Sequence, residues 1–263
     1  VSAFPVDKDA VARNFSAAAA TYDGWAPAQA AIAGALVDRL PSAFSPALVV
    51  DLGCGTGMLS SRLLARYPGA RLVGVDLAEG MVARCREEGL GRGRATFRVG
   101  DAEDPASLPP GADLVASSCA CQWFASLPSA TAAWAAALPP GGIIALAALV
   151  EGSYAELAEA HREAFGLPFP GLDYPSAAEV EALAAVSGLR LCAADAIEVI
   201  SKHADARDAL RSFRKIGATL PGRRPLGPGE TRRLLDALGR RAGEGGIVPL
   251  THRAFVLVAE KPS

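Results

Sequence analysis

An excess of charge of either sign is missing from this chain: 26 Lys/Arg against 28 Asp/Glu leave a formal net charge of -2. Whole-molecule charge therefore gives no reason to expect a nucleic-acid or membrane partner. Aromatics are only 6% of the 263 residues, and no aromatic-rich basic stripe runs through them, which argues further against nucleic acid. No run of about 18 uninterrupted apolar residues exists, so a membrane-spanning helix is not expected. The amino-terminal stretch VSAFPVDKDAVARNF has acids and a proline where a secretory signal needs a basic start and an apolar core. The five cysteines are an odd number without a CxxC pair or metal-type spacing, so neither a disulfide framework nor a metal site is expected. A reducing cytoplasmic setting fits, with the thiols acting as small core residues. The three histidines, His161, His203 and His252, lie in unrelated contexts, so no Ser/His/Asp triad is expected and each reads as a surface or structural residue. Lysine is almost wholly replaced by arginine, a coding bias with little functional content.

What is present is a repeating strand–helix order. The first 40 residues read as helix, with Val11, Phe15, Ala18 and Tyr22 at helical spacing and a break at Asp23-Gly24 and Pro27. Strands are expected at 47–50, 72–75, 95–99, 113–117 and 142–150, with helices at 58–66, 81–88 and 130–138 between them. Such alternation implies an α/β fold with a parallel sheet covered on both faces. Beyond residue 150 helices are expected at 154–165 and 177–187, and closing strands at 189–200 and 253–260. Helical patterns at 205–216 and 230–241, joined by a Pro/Gly/Arg-rich loop, form an insert expected over one edge or end of the sheet. One domain spans 1–263 in this reading. It comprises amino-terminal helices (1–45), a cofactor-binding core (46–150), and substrate-side elements with closing strands (151–263) that include a basic insert at 202–247.

The chemistry-bearing motif is Asp51-Leu-Gly53-Cys54-Gly55-Thr-Gly57, between a strand and a helix. Glycines there let the backbone turn tightly and approach a ligand. A ligand-free glycine turn, or a nicotinamide or flavin site, would share that spacing. Asp76 ends the next strand, where a carboxylate can accept both hydroxyls of a ribose. Asp101, in Gly100-Asp101-Ala102-Glu103 after the third strand, could accept an adenine amino group.

With these residues the chain resembles the class I methyltransferase family, whose first motif, D-x-G-x-G-x-G, is reproduced in full by residues 51–57. The resemblance implies a doubly wound, mostly parallel seven-stranded sheet with a helical insert before the last strand. It also implies S-adenosyl-L-methionine as cofactor, S-adenosyl-L-homocysteine as product, and no metal. Gly53 and Gly55 would approach the methionyl part, Asp76 the ribose and Asp101 the adenine. Asp51 would act through loop or cofactor-amine hydrogen bonds. Tyr22, Cys54, Leu77, Met81, Ala102, Glu103 and Ser117 complete the implied cofactor site.

Four further stretches resemble the malonyl-acyl-carrier-protein O-methyltransferases of biotin synthesis or their relatives. They are F-S-A-A-A-A-T-Y-D at 15–23, S-S-C-A-C-Q-W at 117–123, K-I-G-A-T at 215–219 and P-L-T-H-R-A-F at 249–255. Ser118 departs from that family's usual Asn, and His252 from its usual Tyr. The resemblance implies methyl-ester formation on a malonyl carboxylate, which is ionised at neutral pH and needs no general base. Tyr22, Gln122 and Trp123 are the expected pocket wall. Arg214 or Lys215 are expected to meet the substrate carboxylate. Methylation of another small acid or a quinone precursor, or a non-catalytic cofactor-binding scaffold, remains open on these residues. Residues 202–241 carry a net charge of +7 and the rest of the chain -9, which suits an acidic acyl carrier protein as partner.

Overall fold

The computed structural model describes residues 6–219 and 224–263. Asp7 opens α1 (Lys8–Ala18) by accepting the Ala10 N–H, and Ala10, Val11 and Ala18 turn inward. A short α2 (Tyr22–Trp25) and α3 (Pro27–Asp38) follow. Five strands and three helices then alternate: β1 (Leu48–Leu52), α4 (Met58–Arg66), β2 (Arg71–Asp76), α5 (Glu79–Glu87), β3 (Ala95–Val99), β4 (Leu114–Ser118), α6 (Leu127–Ala137) and β5 (Ile143–Leu149). The chain continues through α7 (Ala155–Phe165), α8 (Ala177–Val186), β6 (Arg190–His203), α9 (Ala206–Lys215), α10 (Pro228–Gly239) and β7 (Val248–Glu260).

The strands form one seven-stranded sheet in the order β3-β2-β1-β4-β5-β7-β6. Every pairing is parallel except the two that β7 makes. Side chains alternate between two cores, as the two-residue strand period demands. On β5, Ile143 and Ala145 join the helices α3, α4, α5, α7 and α10, whereas Ile144 and Leu146 join α6 and α8. The strand order reverses between β1 and β4, and the carboxyl ends of those strands open the crevice where such sheets bind ligands.

Two expectations move. The break near the amino terminus falls at residues 19–21 rather than at Asp23-Gly24, which lies inside α2. Thr21 stands at the break: its hydroxyl donates to the Lys215 carbonyl (2.7 Å), with the Ala18 carbonyl also in reach (3.1 Å), which ties the turn to the end of α9. β7 begins at Val248, not 253, because residues 248–253 pair with β6 before β5 is reached. Pro249 stands where β7 pairs on one side only, a position that tolerates a missing N–H. The insert between β6 and β7 packs α9 against those two strands and α10 against α7, with Arg240 and Arg241 gripping Glu163.

Candidate active site

The loop after β1 carries Gly53, Gly55 and Gly57 at φ +75°, +53° and +89°, conformations that penalise any side chain. The Gly53 and Cys54 N–H groups donate to the Val75 carbonyl (2.8 and 3.0 Å), which fastens the loop to the end of β2. A Cβ on Gly53 would stand 2.4 Å from the Ala120 methyl, so the loop also presses against the segment after β4. Asp76 organises the junction. Its two carboxylate oxygens accept from Gly55 N and Ala78 N, both at 2.8 Å. Burial raises its pKa, and those two backbone donors oppose the rise.

Asp51 is fully buried on β1. One oxygen accepts from the Ser60 hydroxyl at 2.6 Å, and the other, Oδ1, has no hydrogen-bond partner. Burial pushes its carboxyl up to about 7 against the Ser60 bond, with Asp76 adding to the rise. Past β3, Asp101 Oδ1 accepts from Glu103 N (3.0 Å), while Lys8 Nζ lies 2.5 Å from both Asp101 Oδ2 and Glu103 Oε2.

These ends converge on a cleft with about 650 Å³ of empty space, part of it open to solvent. Gly53, Gly55, Asp76, Leu77, Asp101 and Ala102 line it from the strand ends and the loops after them, and Met81 from α5. Lys8, Val11 and Phe15 line it from α1, and Tyr22 from α2. Ser118, Cys119, Ala120, Trp123 and Phe124 complete the wall. Trp123 meets Phe15 edge-on at 5.5 Å, and its indole N–H is buried without a partner. Cys119 holds φ +54°, and burial pushes its thiol up to about 12, leaving it neutral and unreactive at neutral pH.

Other sequence-predicted residues stand apart from this wall. Asp51 lies beneath it. Cys54 lines a smaller adjoining cavity of about 330 Å³, shared with Tyr22, Gln29 and Ser118. Ser117 is fully buried and donates to the Leu52 carbonyl, so the alternation of β4 turns Ser118 to the cleft instead. The Glu103 carboxylate is committed to the N–H groups of Ala125 and Ser126 (2.8 Å each) and to Lys8. Gln122 folds back to donate to the Cys119 carbonyl (2.7 Å), leaving its own carbonyl oxygen buried and unpartnered. Arg214 and Lys215 lie in the last turn of α9 and do not line the cleft. The sequence did not single out Lys8, Val11, Phe15, Ala120 or Phe124 as wall residues, whereas Cys119 was expected as a small wall-lining or buried residue. The i, i+3, i+7 spacing of Lys8, Val11 and Phe15 was the available signal for one helix face.

The histidines are buried rather than superficial. His161 meets the Leu167 carbonyl (3.1 Å) between Phe165 and Phe169, and His252 stacks edge-on against Tyr154 at 4.8 Å. Contrary to expectation, His203 has triad-like company: Ser201 Oγ is 3.0 Å from Nε2, and Asp208 is 3.7 Å from Nδ1. Ser201 also donates to the Leu250 carbonyl, and burial lowers the His203 pKa. The trio thus ties β6 and β7 to α9, and Ser201 and His203 line a separate cavity of about 260 Å³.

Residues 49–142 match a family model described as a methyltransferase domain. The chain is 32% identical over 247 residues to a malonyl-[acyl-carrier protein] O-methyltransferase of Magnetococcus marinus, covering 92% of this chain and 89% of that protein. Against the protein of the same description from Geobacter sulfurreducens, identity is 31% over 267 residues, covering 97% and 100%. The biotin biosynthesis bifunctional protein BioCD of Bordetella avium is 33% identical over 88% of this chain and 49% of its own length. Among solved structures, the YcgJ protein of Bacillus subtilis superposes with a TM-score of 0.60 at 18% identity, over 89% of this chain and 99% of that one, a likeness of fold.

Proposed function

The chain belongs to the malonyl-[acyl-carrier protein] O-methyltransferase family, and from that premise we propose that it esterifies the free carboxylate of a malonyl thioester carried by acyl carrier protein, using S-adenosylmethionine. The reaction serves biotin synthesis, and we assign it to the cytoplasm. One observation carries the reading: a glycine bend and the carboxylates of Asp76 and Asp101 line a single cleft.

Several features of these residues fit the cofactor. Asp76 keeps a lone pair on each oxygen beyond its two backbone bonds, enough for two ribose hydroxyls. Gly55 has open space where a Cβ would stand. The orphaned Oδ1 of Asp51 beneath the wall places a buried acid under the glycine bend, favourable to a cationic amine in the cleft. When bound, S-adenosylmethionine supplies a methyl group on a cationic sulfur. Asp101 would accept the adenine amino group, Leu77, Met81 and Ala102 would pack the adenosyl part, and Gly53 would admit the methionyl part. Tyr22 and Trp123 would offer aromatic faces to the sulfonium, worth about 0.5 to 2 kcal/mol according to desolvation.

The attacking malonyl carboxylate is already ionised, so no base is required of the protein. Tyr22, Ser118 and Cys119 offer the substrate side of the cleft neutral groups, which can orient a carboxylate without pairing away its charge. Catalysis then rests on alignment and exclusion of water. We assign Arg214 and Lys215 to carrier docking instead of carboxylate contact. With Arg207 and Arg211 they form an i, i+4, i+7, i+8 set on α9 that makes no ion pair among the described residues. In the same basic region Arg224, Arg240 and Arg241 are paired to Glu230 and Glu163, and Arg223 lies outside the described residues.

The decisive assay offers methyl-labelled cofactor with malonyl acyl carrier protein, with free small acids, or alone. Label should appear in the malonyl thioester. Label only in free acids would move the enzyme to another substrate, and cofactor binding without transfer would make it a scaffold.

A further inference from the structure

We propose that Lys8 is a cofactor-positioning residue, which holds the Asp101 carboxylate in its adenine-accepting orientation and fastens α1 across the adenosyl end of the cleft. The inference rests on the methyltransferase reading of the cleft and adds to it a residue on α1.

The geometry is specific. Lys8 is the first residue of α1 and lines the cleft together with Val11 and Phe15. Its ammonium reaches across to two carboxylates on the segment after β3, Asp101 (93 residues away in sequence) and Glu103, at 2.5 Å from each. Asp101 is thereby fixed from two sides, by Lys8 at Oδ2 and by Glu103 N at Oδ1. An Asp side chain free to rotate would present its acceptors to an adenine amino group only part of the time. Two partners remove that freedom before the ligand arrives. Glu103 is itself pinned by Ala125 N and Ser126 N at the start of α6, so Lys8 is anchored to a fixed point.

The rest of α1 is held just as definitely. The Ser16 hydroxyl accepts from Gly80 N (3.1 Å), and a Cβ on Gly80 would come within 2.6 Å of the Ser16 carbonyl, so α1 and α5 touch backbone to backbone. Asn14 donates to the Thr219 carbonyl (3.2 Å), and Gly217 packs equally close to residues 14 and 15. The middle and end of α1 are thus clamped by contacts beyond the cleft. Its first turn is joined to the adenosyl side through Lys8. The pair is partly solvated, with side chains 28% and 34% exposed, so its removal should shift affinity without unfolding the protein.

The test is calorimetric titration of S-adenosylhomocysteine and its inosyl analogue, in which a carbonyl replaces the adenine amino group, into wild type, Lys8→Met and Lys8→Arg. Wild type should prefer the adenosyl compound. Lys8→Met should bind it about tenfold more weakly, the expected size for a charge-assisted contact discounted for solvent. Its preference over the inosyl compound should shrink, while Lys8→Arg should retain both. In turnover assays the Lys8→Met loss should appear in KM for the cofactor with kcat little changed. An unchanged adenosyl affinity in Lys8→Met, or a lower melting temperature with the adenosyl/inosyl ratio intact, would overturn the proposal. Should Lys8→Met not fold, Lys8→Gln, Asp101→Asn and the Lys8→Gln/Asp101→Asn double variant carry the test, because additive losses in that cycle would equally refute coupling through Asp101. Failure of wild type to bind either nucleoside would instead refute the methyltransferase reading itself.

Discussion

A carboxyl group sealed from water keeps its proton to a higher pH, and Asp51 is sealed completely. Its pKa near 7 in the folded protein, against 3.8 for an ordinary Asp, means that the native state holds a proton the unfolded chain has lost between those values. Stability from this group is therefore full below about pH 4 and declines as pH rises through 7. At about 1.4 kcal/mol per unit the full effect is on the order of 4 kcal/mol. His203 and His252, both pushed down by burial, act in the opposite sense, losing stability as pH falls. Comparison with a variant therefore isolates Asp51. In urea titrations of the ligand-free protein from pH 5 to 8, Asp51→Asn should become more stable relative to wild type as pH rises. A constant difference across that range would mean that Asp51 does not titrate there. The same residue illustrates the limit of motif reading: D-x-G-x-G-x-G locates an acid beside the glycines, but only the packing of β1 against α4 gives it Ser60 on one oxygen and nothing on the other.

At the scale of one element, α9 combines two surfaces with separate duties. Ala206, Ala209 and Ser212 are buried against the sheet, and the Asp205 side chain caps the first turn. The outward set of Arg207, Arg211, Arg214 and Lys215 has no carboxylate to answer it among the described residues. Unanswered cations at a surface raise association rates more than they add contact energy. Changing Arg211, Arg214 and Lys215 together to Glu should lower kcat/KM for carrier-bound malonate by about tenfold or more at low salt, and flatten its dependence on salt. Cofactor affinity should be preserved in that mutant. A salt series identical to that of wild type would remove α9 from the docking surface. Sequence periodicity located this helix within a residue at each end, since its alternation of apolar and charged positions is strong. It misjudged α2, where the Thr21 hydroxyl at the turn bonds the carbonyl of Lys215, a residue 194 positions away.

For the molecule as a whole, the cleft joins α1, α2 and the ends of β1 to β4, so a ligand there bridges parts distant in sequence. A ligand that binds only the folded state at 100 times its Kd stabilises by about 2.7 kcal/mol. For a chain of this length that amounts to a rise in melting temperature of about 5 to 10 °C. S-adenosylhomocysteine should produce it and NADH should not; the converse result would transfer the cleft to nicotinamide chemistry. By itself the sequence determined the strand–helix order, the glycine bend, the three acids at successive strand ends and the family likeness. Each of those is written in local spacing, and local spacing follows from the repeat of helix and strand. Packing in three dimensions sets that Ser118 rather than Ser117 lines the cleft, that Glu103 serves α6, that Arg214 and Lys215 do not line the cleft, and that Lys8 reaches Asp101. Those outcomes depend on which hydrogen-bond partners the packed chain brings within 3 Å, and no one-dimensional pattern records that.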